Sequence, residues 1–89
     1  MKIVVNRCFG GFGLPIEFYN MYPDVEEWDI ERTDETLIEF LETHDKYTLP
    51  SYTELEVVEI PDTATDWRIE EYDGAESVLY VVDGKINEA

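Results

Sequence analysis

With 22 acidic residues against six basic ones in 89, the chain carries a formal net charge of −16, a field that repels nucleic acid and anionic membrane and attracts basic surfaces. A fold of this size buries only about 60–65% of its unfolded surface, which leaves little area for a deep cleft and favours binding over catalysis. Apolar residues make up 44% and include six Tyr, four Phe and two Trp, enough to close a core and to exclude a disordered chain.

Lys2 to Asn6 is rich in β-branched residues and predicts a buried first strand, ended by a tight loop at Gly10-Gly11-Phe12-Gly13. Pro15 suits the first position of a short helix through about Met21, where its missing N–H costs nothing, and Pro23 stops that helix. Glu17 in its first turn complements the helix dipole. From Asp24 to Ile30, acids alternate loosely with Val25, Trp28 and Ile30, a pattern that fits an exposed loop or a short edge strand. Thr33 or Asp34 caps a second helix, expected from about Asp34 to His44, with Leu37, Ile38 and Leu41 on one face and Phe40 beside them. His44 falls where a side chain stabilises the helix C-terminus.

Tyr47 to Thr53 contains Pro50 and reads as a connection. Leu55 to Ile60 predicts a second strand ended by Pro61-Asp62. Its adjacent Val57 and Val58 face opposite sides, so both faces are covered and a central position is expected. Trp67 to Tyr72 predicts a third strand with Trp67, Ile69 and Glu71 on one side and Trp67 in the core. Ser77 to Val82 is strongly strand-like, with a helix beginning near Ala75 as the alternative. Asp83-Gly84 accepts the positive φ of a primed turn and would close a hairpin with Lys85 to Asn87. The pattern implies one domain over residues 1–89 and an α+β fold, a small, mainly antiparallel sheet of three to five strands packed against one or two helices.

The single cysteine, Cys8, allows no internal disulfide, and the apolar run at the amino terminus is too short for a signal peptide, which points to the cytoplasm. Nothing approaches the ~20 apolar residues of a membrane span. Cys8-Phe9-Gly10-Gly11-Phe12-Gly13 places a thiol beside free backbone N–H groups, the layout of a nucleophile or an anion nest, and equally that of a tight turn. It lacks the Gly-Lys-Ser/Thr ending of a phosphate loop and the glycine spacing of a dinucleotide site. The only base for the thiol is His44, and no metal-ligand spacing is present. A carboxylate pair for acid–base hydrolysis needs a cleft that a chain this short does not supply. No catalytic residue, cofactor or metal is therefore expected.

Two segments together resemble a family of uncharacterised bacteriophage proteins. Asn6-Arg7-Cys8-Phe9-Gly10-Gly11-Phe12-Gly13-Leu14 is similar to their opening signature. Leu55-Glu56-Val57-Val58-Glu59-Ile60-Pro61, followed by Trp67-Arg68-Ile69-Glu70-Glu71-Tyr72-Asp73-Gly74-Ala75-Glu76, is similar to their closing half. The helix start Arg32-Thr33-Asp34 also resembles theirs, whereas Pro15 stands where members usually have Ser. The resemblance covers roughly half the chain and implies a phage origin, working in the host cytoplasm, without assigning chemistry.

Two readings account for the acidity. In the first, carboxylates form an array that occupies the groove of a basic host protein, such as a nuclease of a defence system, in place of phosphates. Glu35, Glu39 and Glu42 lie at helical spacing, with Cβ atoms ~5–6 Å apart. Glu54, Glu56, Glu70 and Glu71 add acids to the strands, and these seven are the expected partner contacts. In the second reading the charge only serves solubility or salt adaptation. Tyr19, Tyr22, Trp28, Tyr47 and Tyr52 lie in or beside segments expected to be exposed and offer aromatic anchors for an interface.

Overall fold

The computed structural model describes all 89 residues. The chain runs β1 (Lys2–Asn6), α1 (Ile16–Met21), α2 (Glu35–Thr43), β2 (Leu55–Glu59), β3 (Asp66–Tyr72), β4 (Ala75–Val82) and β5 (Lys85–Glu88). All strand pairings are antiparallel. β1 pairs with β2 in one sheet, and β3, β4 and β5 form a second, with β4 in the middle. The α+β architecture expected from the sequence is present, its five strands divided between two sheets.

Period-two alternation makes the β1–β2 ribbon the middle of three layers. Val4 and Leu55 turn to the helices and share a core with Leu14, Phe18, Leu37, Ile38 and Phe40. Ile3, Val5 and Val58 turn the other way and form a second core with Ile60 and Val78, against which Trp67, Ile69 and Tyr80 pack. Each large aliphatic side chain buried here contributes roughly 1.5–3 kcal/mol. Val57 and Val58 do divide between the two cores. Central placement of β2 within a sheet is corrected, because the second face is covered by a neighbouring sheet and not by flanking strands.

Asp34 caps α2, its side chain accepting the Leu37 N–H at 2.9 Å. Pro15 precedes α1 as its cap. Residues 24–31 form turns, without a strand. The helix considered near Ala75 is replaced by β4, which begins there because Asp73-Gly74 closes a two-residue hairpin with β3. Both central residues have positive φ, 50° and 91°, as Asp83 and Gly84 do at 52° and 74° before β5, the primed-turn geometry that matches strand twist.

Candidate protein-docking face

The glycine-rich segment after β1 is a structural joint. Gly74 crosses so close to it that a Cβ there would lie 2.6 Å from the Gly11 nitrogen and 2.7 Å from that of Gly10. The chain's own hairpin thus fills the space over those N–H groups in which an anion would sit. Cys8 is half-buried; its C=O accepts from the Gly10 N–H at 3.0 Å and from Asn6 Nδ2 at 2.9 Å. His44, the one base considered for the thiol, stacks on Phe40 at 4.0 Å, and its Nδ1 lies 2.9 Å from the Phe40 carbonyl at the end of α2.

The same joint holds a buried polar network that the sequence reading missed. Glu76 lies on the inward face of β4, two residues before buried Val78, and its side chain is 8% exposed. Its carboxylate receives Arg32 through both terminal guanidinium nitrogens, at 2.5 and 2.9 Å, and the Asn6 N–H at 2.7 Å. The Arg32 guanidinium also stacks over the Phe12 ring, 3.7 Å from its centre. Asn6, fully buried, donates through Nδ2 to the carbonyls of Cys8 and Gly74 and accepts through Oδ1 from the N–H groups of Cys8 and Glu54. That uses both donors and both lone pairs of the amide. The parity of Glu76 with Val78 was the available signal. Because the network is internally satisfied, it is a tie between layers rather than a ligand site.

The expected contact residues fall on different surfaces. Glu35, Glu39 and Glu42 are exposed along α2 and line one hollow with Lys2, Thr33 and Thr43. Lys2 Nζ binds Glu42 at 2.7 Å, and this contact holds the ammonium pKa above its usual 10.5. The exposed flank of α2 continues past Tyr22 and Thr36 into a hollow of about 390 Å³. Phe18, Val25 and Ile30 form its apolar lining, and Asp24, Glu26, Asp29 and Asp34 contribute carboxylates. Glu54 is exposed just before β2, and Glu56 is paired with Arg7 Nε at 2.8 Å. Glu70 pairs with Arg68 at 3.0 Å on the outer face of β3, while Glu71 points to the opposite side of that strand. The structure therefore brings the three α2 glutamates together and leaves the other four around the sheets.

Ten of the 22 acids lie between Asp24 and Asp45, against one Lys or Arg side chain, that of Arg32. That guanidinium is turned inward to Glu76, so the helical side of the molecule presents acids that no Lys or Arg of its own segment neutralises. Trp28, 79% exposed, Tyr22 and Met21 stand on the same segment or at its border, and Tyr52 is exposed as well. Tyr19 and Tyr47 are half-buried and pack on the helix-side core. The Tyr19 hydroxyl is bonded to Glu27 at 3.0 Å, and burial, then this contact, raises its pKa above the usual 10.0. No group of three His, Cys, Asp or Glu side chains is placed to hold a metal ion, and no helix is long and apolar enough to cross a membrane.

Comparison of the chain with protein-family models, with curated proteins and with solved structures finds no match.

Proposed function

We propose that the chain is a binding protein without catalytic activity, an acidic inhibitor or modulator that occupies the nucleic-acid-binding surface of a basic host protein in the cytoplasm. The observation that carries this reading is the run from Asp24 to Asp45, ten acids whose one Lys or Arg, Arg32, is turned inward to Glu76. Along α2 the carboxylates of Glu35, Glu39 and Glu42 would stand where phosphates stand on the partner's usual ligand, and Trp28 and Tyr22 would anchor the contact once charge has steered it. The resemblance to bacteriophage proteins makes a nuclease of a host defence system the natural target. A second reading, acidity for solubility, draws support from the acids on the sheet side, where Glu56 and Glu70 are neutralised locally by Arg7 and Arg68.

Affinity capture from host lysate at low and high salt tests the proposal. A stoichiometric DNA-binding protein, released by salt and by competing DNA, supports it. Recovery of no basic protein at low salt sinks it.

A further inference from the structure

β3 is an edge strand of seven residues whose outer backbone groups have no partner strand. Ladder parity shows which groups these are. Val78 exchanges both backbone hydrogen bonds with Ala89, at 3.0 and 2.8 Å, so it points to the β5 side of β4. Its neighbours Ser77 and Leu79 therefore bond to Glu70 and Arg68, and the N–H and C=O of Trp67, Ile69 and Glu71 point away from the sheet. The Trp67 N–H is the only one of the three that has found a substitute, the carboxylate of its own neighbour Asp66 at 2.9 Å.

The charges along this edge complement themselves. A second β3 laid antiparallel about a two-fold axis at Ile69 sets Ile69 opposite Ile69 and Trp67 opposite Glu71, all with outward-pointing backbone groups. The same register sets Arg68 opposite Glu70 twice, on the outer face, where both side chains are solvent-exposed. Opposite charges directly across a strand pair stabilise it, and like charges destabilise it. A one-residue slip would put Arg68 opposite the partner's other backbone parity and lose the pairing. The other edge of this sheet, β5, has only four residues.

We infer that two copies of this chain pair through β3 to form one six-stranded antiparallel sheet. Its outer face continues the apolar strip of Leu79, Val81 and the 74%-exposed Ile86 of each copy. The helical layer stays free on both copies, so the dimer is independent of the docking proposed above and displays that face twice. Two bodies of charge −16 repel at long range, and salt screens that repulsion more than the short-range backbone pairing. Dimerisation therefore strengthens as salt rises, opposite in sign to docking on a basic partner.

Sedimentation from micromolar to millimolar concentration, at low and high salt, reads the association. Arg68→Glu and Glu70→Arg each replace two attractive pairs by two repulsive ones, which weakens self-association by about tenfold or more. Mixed together, the two variants restore complementary pairs and associate within about threefold of the unaltered chain. Glu71→Pro removes an outward N–H while leaving the β4 ladder intact, and it prevents dimerisation. Circular dichroism confirms that each variant is folded. A chain that stays monomeric at millimolar concentration overturns the inference. So does undiminished association of Glu71→Pro or of either charge variant alone, or a mixture that remains monomeric.

Discussion

Arg32 grips Glu76 through two hydrogen bonds of 2.5 and 2.9 Å across 44 positions of sequence, joining the start of the helical side to the middle strand of the outer sheet. The carboxylate is 8% exposed and the guanidinium 21%. A pair in such a place adds little net stability over an apolar replacement, since two charges have been taken out of water, but losing one partner strands the other. Glu76→Ala and Arg32→Ala are each expected to cost roughly 3–5 kcal/mol. The double variant is expected to cost clearly less than their sum, because it leaves no unpaired charge. Urea unfolding of the three variants measures the coupling.

The joint is also specified by shape. At Gly74 a methyl group would meet the Gly10 and Gly11 backbone, and φ is 91°, so Gly74→Ala is strained and blocked together. At Gly84, with φ 74°, nothing lies within 4 Å, and only the conformational penalty applies. Gly84→Ala is expected to cost about 1–2 kcal/mol. Gly74→Ala should exceed that by several-fold, or abolish the native near-ultraviolet spectrum, as thermal melts followed by circular dichroism will report.

These two residue pairs explain what was legible in the sequence and what was not. Local signals worked where a residue acts on its own neighbourhood: Asp34 as a cap, Asp73-Gly74 and Asp83-Gly84 as turns, β-branched residues in β1 and alternation in β3. Burial of Glu76 against Arg32 is a long-range fact. Parity with Val78 puts Glu76 on one face of β4, but whether that position is buried is decided by the layer above it. For the same reason helical spacing placed Glu35, Glu39 and Glu42 beside one another, while nothing local told which elements share a side with them. Asn6, Gly10, Arg32, Gly74 and Glu76, far apart in the chain, are linked pair by pair in the fold: Asn6 to Glu76 and Gly74, Glu76 to Arg32, and Gly74 to Gly10.

Glu17 ties the short helix α1 to the connection before β2. The Thr48 N–H reaches both its oxygens, at 3.0 and 2.8 Å, and the Ile16 N–H donates back to the Thr48 carbonyl at 3.0 Å. The Thr48 hydrogen bonds hold the Glu17 carboxyl below its ordinary 4.5. The unfolded chain then binds more protons across the window between the two values, and stability falls as pH drops through it. The stability contributed by Glu17 is present above pH 4.5 and lost below the lowered value. Glu17→Gln should therefore differ from the unaltered chain in denaturation midpoint near neutral pH, with the difference closing under acid conditions. A constant offset at all pH values would show that the carboxylate is not the group responsible.

The proposed docking face makes the sharpest demand, because it separates location from amount of charge. Glu35→Lys, Glu39→Lys and Glu42→Lys together change the net charge by +6, from −16 to −10, and place all of that change on α2. Glu54→Lys, Glu56→Lys and Glu71→Lys change it equally on the sheet side. If the acids act only through bulk charge, the two triples weaken capture of a basic protein alike. If α2 is the contact, the first triple reduces affinity by at least about tenfold and flattens its salt dependence, and the second stays within about threefold at physiological ionic strength. Glu42 is paired with Lys2 and Glu56 with Arg7, so each triple breaks one exposed ion pair and the stability cost of reversal is matched between them. Titration of both triples against the captured partner at two salt concentrations distinguishes an oriented face from a merely acidic molecule.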